Sequence, residues 1–367
     1  MPEEPGYPGR VALQQRVLPD YRAAFVEALA RRCDGGLDVF AGEPRTGEGI
    51  LPAPPLAVAR LTRADNLHLF SGRLLLVWQA GLIRWLEVTQ PQVLVLEANM
   101  RYLSSRLAVR WMRARRRPVV GWGLGAGARG GLGGALRRTW LNGFDALIAY
   151  SSFGAAQYRA LGFPAERVFV APNATAVAPD RMPVRPTAAG RPRRLLFVGR
   201  LQPRKRLDLL LEACAALEPR PELTIVGDGP DAERLRALAE ACCPQARFPG
   251  DLRGAALDTA FEQADIFVLP GTGGLALQQA LAAGLPIIAA EGDGSQQDMV
   301  TRDNGWRVRP GQGGDLRQAL QRALSLEEAG LRGMGEASFQ LARTHFSLEA
   351  MTEAFVEALR AVGLRRP

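Results

Sequence analysis

The chain has 367 residues, 47% of them hydrophobic, and a net charge of +9, a globular composition long enough for two domains that each bury a core. The charge is carried almost wholly by arginine, with Lys205 the only lysine. There is no RNP-type aromatic motif, zinc finger or basic region joined to heptads, so the basic balance does not point to nucleic acid.

The four cysteines, Cys33, Cys214, Cys242 and Cys243, have neither CxxC nor metal-ligand spacing and are expected as free thiols, without zinc. The longest apolar stretch, residues 67–86, is interrupted by Arg73 and Arg84, which leave ten uncharged residues between them, too few for a membrane span. The opening residues MPEEPGYPGR are acidic, proline-rich and without an apolar core, so no secretory signal is read and a cytoplasmic location is expected.

In chain order, residues 11–14 predict a strand and 21–32 a helix with Asp20 as its N-cap, followed by a strand at 37–40. The stretch 42–60 is rich in Gly and Pro and reads as loop. Residues 74–89 predict a helix, 93–96 a strand ending in Glu97, 102–116 a helix and 119–122 a strand. GLGAGARGGLGG at 123–134 is too glycine-rich for regular structure. A helix from Ala135 leads to a strand at 146–149, a helix at 152–161 and a strand at 168–171. This alternation of strands and helices predicts an α/β fold with a parallel, doubly wound sheet.

Residues 176–193 hold four prolines and no apolar period, which marks a linker. The expected organisation is a first domain at 1–178, a linker at 179–193, a second domain at 194–346 and a terminal helix within 347–367. In the second half, strands are predicted at 195–199, 223–227 and 246–249, with helices at 208–217 and 231–240. Helices also follow at 316–324, 331–344 and 348–362.

The most informative stretch is ADIFVLPGTGGLALQQALAAGLPIIAA at 264–290. It reads as strand, glycine loop, helix and strand, with Gly284 and Pro286 ending the helix. Glycines let the backbone approach an anion, and the free N–H groups at Leu275 and the helix dipole favour negative charge there. Gly199 and Arg200 to Lys205 follow one strand, and Gly227 to Pro230, with Gly229, follow the next. In a parallel sheet these turns and the loop 270–274 share the carboxyl edge, where ligands bind. Arg200 and Lys205 either neutralise a diphosphate there or are solvated loop cations.

The second half resembles the nucleotide-binding domain of family 4 glycosyltransferases of the GT-B fold. The matching pieces are FVGRLQPRKRLDLLLEA at 197–213, LTIVGDGP at 223–230, the stretch 264–288 and DNGWRV at 303–308, in the family's order. In the first half, residues 10–32 and 144–175 are similar to the acceptor-side domain. The resemblance implies two Rossmann-like domains facing each other across a cleft, with the last helix crossing back to the first domain. It implies transfer of a sugar, with retention, from a nucleotide-diphosphate sugar to a hydroxyl of a glycan, lipid-linked or small-molecule acceptor in polysaccharide or glycoconjugate assembly. No cofactor and no metal are implied. In the front-face mechanism proposed for such enzymes the leaving phosphate itself accepts the acceptor's proton, so no protein nucleophile is obligatory.

Matched residue by residue, Arg200 and Lys205 fall on the basic pair that holds the donor diphosphate. The family's two glutamates, eight positions apart, are replaced by Gly271 and Gln279. Gln279 retains an amide for a ribose hydroxyl, and sugar recognition passes to the backbone of Thr272, Gly273 and Gly274 or to the other domain. The family's first-domain histidine is missing: His68 and His345 are expected to be structural, and Glu97 either substitutes as a polar catalytic or acceptor-orienting group or merely caps the loop that follows it. Glu291-Gly292-Asp293 resembles a metal-binding triplet only superficially. The lost glutamate and histidine leave a catalytically inactive binding or scaffold protein as the alternative. A dehydrogenase is disfavoured because neither domain start carries GxGxxG. The tract 110–117, with Arg137, Arg138 and Trp140, mixes cations with tryptophan and reads either as peripheral docking on an anionic inner membrane face or as helices with solvated arginines.

Overall fold

The computed structural model describes residues 5–70, 72, 75–126, 132–185 and 190–363. Residues 127–131 of the glycine run, 186–189 of the linker and Arg73 in the interrupted apolar stretch lie outside them. The chain divides into two compact units, residues 1–176 with 348–367, and residues 177–347. Among the described residues no helix is long and apolar enough to cross a membrane.

The first unit holds β1 (Val11–Val17), α1 (Ala23–Arg31), β2 (Leu37–Gly42), β3 (Arg60–Leu69), β4 (Leu76–Ala80), α2 (Leu82–Thr89) and β5 (Val93–Glu97). It continues with α3 (Leu103–Ala114), β6 (Val119–Gly123), α4 (Leu132–Leu141), β7 (Ala146–Ala149), α5 (Ser152–Ala160) and β8 (Val168–Val170). Its sheet has the order β4-β3-β2-β1-β5-β6-β7-β8. The inner strands are near-continuous apolar runs because helices cover both faces.

Three local expectations are corrected here. Residues 76–80, read as the start of a helix, form β4, which pairs antiparallel with β3, so the sheet is not parallel throughout. Every second residue, Val77 and Gln79, is buried, a strand period, and Gly81 at φ 80° ends it before α2 begins. Asp20 does not cap the long helix: residues 20–22 make a 3-10 turn, in which the Asp20 carboxylate accepts from the Tyr21 N–H, and α1 starts at Ala23. The end of the glycine run is helical, since α4 begins at Leu132.

The second unit holds β9 (Arg194–Val198), α6 (Leu207–Ala215), β10 (Glu222–Val226), α7 (Ala232–Cys242), β11 (Ala246–Gly250), α8 (Ala255–Gln263) and β12 (Ile266–Leu269). After these come α9 (Leu275–Ala282), β13 (Ile287–Ala290), α10 (Ser295–Met299), β14 (Gly305–Val308), α11 (Gly313–Leu324) and α12 (Glu328–His345). All six strands are parallel in the order β11-β10-β9-β12-β13-β14. Their fully buried residues, among them Leu195, Phe197, Ile266, Phe267 and Ile288, form the core with the covering helices. Arg185 fastens the incoming segment, donating to the carbonyls of Ala264 at 3.0 Å and Gly284 at 3.1 Å, the latter just past the end of α9.

The last helix, α13 (Leu348–Gly363), belongs to the first unit. Phe355 packs at 4.8 Å from the ring of Phe25 on α1 and at 4.9 Å from that of Trp122 on β6. Seven side chains of α13, including Met351, Val356 and Leu359, join the core of that unit.

Candidate functional site

In the second unit the chain leaves β9 towards β10 on one side, and β12 pairs with β9 on the other. The order of strands reverses there, and the carboxyl end of that β9/β12 boundary is where an open α/β sheet leaves a crevice for a ligand. The loops after β9 and β12 border it. Both pack by backbone. A Cβ on Gly271 would collide with the carbonyls of Arg204 and Lys205, and one on Gly227 with the carbonyl of Gly199. Gly229 is likewise pressed against Leu201, whose N–H donates to the Asp228 carbonyl at 2.9 Å. These glycines are required by close approach as well as by their positive φ at 227 and 229.

Lys205 ends a 3-10 turn, residues 203–205, and is 9% exposed. Its ammonium lies between the two glycine loops. A Cβ on Gly199 would stand 3.8 Å from Nζ, and one on Gly273 would collide with it. Burial, and then the neighbouring charge of Arg204, pull its pKa down to about 8. No carboxylate partners it in any ion pair among the described residues. Lys205 is thus a buried cation beside bare backbone, at the edge of the sheet where open α/β folds take their ligands.

The loop is braced from behind. Gln296 on α10 is fully buried; its amide donates to the Gly273 carbonyl at 2.7 Å and accepts from the Gly292 N–H at 3.1 Å. Arg204 bridges the Gln202 amide at 2.8 Å and the Thr272 hydroxyl at 3.3 Å. Sequence reasoning missed Gln296 because a glutamine on a five-residue helix has no local signature; only its burial reveals the role.

The remaining candidates divide. Gly199, Lys205, Thr272 and Gly273 come together, with Gly227 and Gly229 packed beneath, and Gly274 precedes Leu275 at the start of α9. Arg200 is exposed and makes no ion pair among the described residues. Gln279 is exposed on α9, whereas its neighbour Gln278 is buried. The Glu291-Gly292-Asp293 carboxylates are occupied: Asp293 accepts from the Ser295 hydroxyl at 2.6 Å, and Glu291 lies 3.7 Å from Arg307. His345 is exposed at the end of α12, with Nδ1 at the Thr344 hydroxyl. His68 sits on β3.

Glu97 ends β5 in the first unit, opposite Trp122 on β6. It lines a cavity of about 580 Å³ together with Trp122, Tyr150 and Tyr158. Beside this wall Arg22 is buried, its guanidinium 4.4 Å from the Trp122 ring and donating to the Tyr150 hydroxyl at 2.7 Å. Burial raises the Glu97 pKa, while the charge of Arg22 and a hydrogen bond from Tyr102 oppose the rise. The Glu97 N–H donates to Gln14, which is fixed by Gln79. The adjacent Gln15 is fully buried, and neither atom of its amide has a partner in the structure.

Residues 181–338 match the family described as glycosyl transferases group 1. A GDP-mannose-dependent alpha-mannosyltransferase of Mycolicibacterium smegmatis is 42% identical over 107 residues, 28% of this chain and 27% of that protein. A phosphatidyl-myo-inositol mannosyltransferase of Mycobacterium leprae is 33% identical over 175 residues, 45% of each. The matches thus span between about a quarter and a half of these relatives' lengths. Among solved structures, the apo form of the lipopolysaccharide outer core galactosyltransferase WaaB overlays with a TM-score of 0.71 at 16% identity, covering 96% of this chain and 99% of that one. Anabaena HepE in complex with UDP overlays at 0.70 and 15%, with the same coverage. Residues 181–338 thus match the group 1 glycosyltransferase family, and the chain has the GT-B fold of these solved glycosyltransferases.

Proposed function

We propose that the protein is a retaining glycosyltransferase that moves a sugar from a nucleotide-diphosphate sugar to a hydroxyl of a glycan, lipid-linked or small-molecule acceptor. The observation that carries this is the ammonium of Lys205, buried without a carboxylate between Gly199 and Gly273 at the reversal point of the second sheet. The donor diphosphate binds there, over the free N–H groups at the start of α9, with Arg200 closing on it from the loop. As the bond from the anomeric carbon to the diphosphate oxygen breaks, negative charge grows on that oxygen, and a dehydrated cation stabilises it better than water does. The acceptor oxygen bonds to the same face of the sugar, and its proton passes to the departing diphosphate. No metal is needed for that charge balance. Gln279 takes the ribose, and the backbone of 272–274 takes part of the sugar.

The acceptor is held in the first unit by the cavity lined by Glu97, Trp122 and Tyr150. Aromatic surface with a carboxylate at the wall suits a polyhydroxylated ligand. The relatives named above are transferases, which gives the scaffold alternative no support. They and the structural neighbours bring two donors to test first: one relative is named as GDP-mannose-dependent, and one neighbour structure contains UDP-glucose. Release of nucleoside diphosphate from GDP-mannose, UDP-glucose and a wider panel, with EDTA and then with magnesium, tests the reading. Turnover of one donor in EDTA, falling about 10²- to 10³-fold in Lys205→Met, is expected. Release from none of them, with acceptor extracts present, would overturn it.

A further inference from the structure

The arginine tract on α3 has a second destination. At the amino edge of the first sheet, opposite the edge of that sheet at which Glu97 sits, lies a cavity of about 610 Å³. It is lined by Arg113, Arg116 and Arg117 from the end of α3, by Arg360 from α13, and by Gln92 and Asp145. Four guanidiniums from two elements nearly 250 positions apart in sequence thus meet one carboxylate. Asp145 is already used to hold the start of β6, accepting from the Val119 N–H at 2.9 Å.

Arg116 is one of four described non-glycine residues with a left-handed backbone, and of these only it lines this cavity. α3 ends with the Arg117 N–H returning to the Met112 carbonyl and the Arg116 N–H to that of Arg113, a closure whose left-handed position is normally glycine. Here arginine occupies it at φ 55°. A strained side chain retained at a cavity wall points to a use for that side chain. Arg360 adds a second sign: its nearest carboxylate, Glu353, is 3.9 Å away, and its Nη2 is buried without a hydrogen-bond partner. The carboxyl ends of α3 and α13 each bring roughly half a negative charge. With Asp145, and with the Glu353 charge taken up by Arg32 at 2.8 Å, they leave about two positive charges uncompensated, which matches a phosphate monoester at neutral pH.

We infer that this cavity binds a phosphate-bearing ligand, separate from the donor, through Arg113, Arg116 and Arg360. Planar guanidiniums converging from two helices suit the bidentate recognition of phosphate oxygens. The ligand is a free phosphate compound or a lipid headgroup, and both carry the same recognition chemistry.

The full chain in a Lys205→Met background, which silences the second unit's anion site, is titrated with inorganic phosphate by thermal shift and calorimetry. It is also sedimented with phosphatidylcholine vesicles with and without phosphatidic acid. Phosphate stabilisation is expected, weakened about tenfold in both Arg116→Gly and Arg360→Gln. Because glycine suits the left-handed position, Arg116→Gly should unfold about 2 °C higher while binding less, a pairing that a merely structural arginine would not give. A phosphate response without vesicle selectivity assigns a soluble ligand, and selective sedimentation with phosphatidic acid assigns the headgroup. Absence of both responses, or equal responses in wild-type and variant cavities, would overturn the inference.

Discussion

The ammonium of Lys205 occupies the space that a side chain on Gly273 would need. The only lysine of the chain and one glycine of its glycine loop therefore form a single device, in which the loop's missing side chain makes room for a buried cation. Gly273→Ala has to displace that ammonium and also holds a Cβ at φ 154°. The expected outcome is a stability loss of about 1–3 kcal/mol and donor affinity at least tenfold lower. Urea unfolding and donor titration on the same preparation check both, and an alanine variant with unchanged donor affinity would separate the loop from the site.

Lys205 also gives the fold a pH signature. Its pKa is about 8 folded against 10.5 unfolded. Below pH 8 both states carry the proton, and the folded state bears the full cost of a buried charge. Between pH 8 and 10.5 only the unfolded state holds it, so this group's contribution makes stability rise with pH across that window. Lys205→Met should remove the cost and stabilise the unliganded protein at pH 7 by on the order of 2–3 kcal/mol. Unfolding curves at pH 7 and 10 measure it: the wild type and variant should differ most at the lower pH. A variant less stable at pH 7 would show that the ammonium is satisfied by the fold itself.

Glu97 and Arg22 make a second titratable pair, in the first unit. Burial pushes the Glu97 carboxyl up and Arg22 holds it down. If the ionised carboxylate orients the acceptor, the acid limb of kcat/KM lies above the usual carboxylate range. Arg22→Met should move that limb to still higher pH, and Glu97→Gln should abolish it with a kcat loss of about 10²-fold. An acid limb unaltered by both changes would remove Glu97 from the reaction.

The alternating strands and helices were legible because inner parallel strands are short apolar runs between glycine turns, as at 195–198 and 266–269. The β3–β4 hairpin was not. Its residues Leu76, Val77 and Trp78 continue an apolar run that also fits a helix, and only tertiary pairing with Leu67 and Leu69 selects the strand. Lys205 stood out as a lone lysine among arginines, but its burial and its contact with Gly273 belong to the folded chain. The exposed position of Arg200 was equally hidden, since two cations five residues apart on a loop look alike in sequence. Gln296 and Arg22 act through distant partners, and no spacing rule reaches across more than twenty or a hundred residues to find them.

On the function proposed, the buried ammonium of Lys205 holds a nucleoside diphosphate. Calorimetric titration of wild type and Lys205→Met with GDP, UDP and ADP, in EDTA at pH 7 and pH 9.5, tests it most directly. One diphosphate should bind the wild type at pH 7 and bind at least tenfold more weakly in the variant, and the wild-type affinity should fall at pH 9.5 as the ammonium loses its proton. Equal affinities in the two proteins, or no binding of any diphosphate, would contradict it.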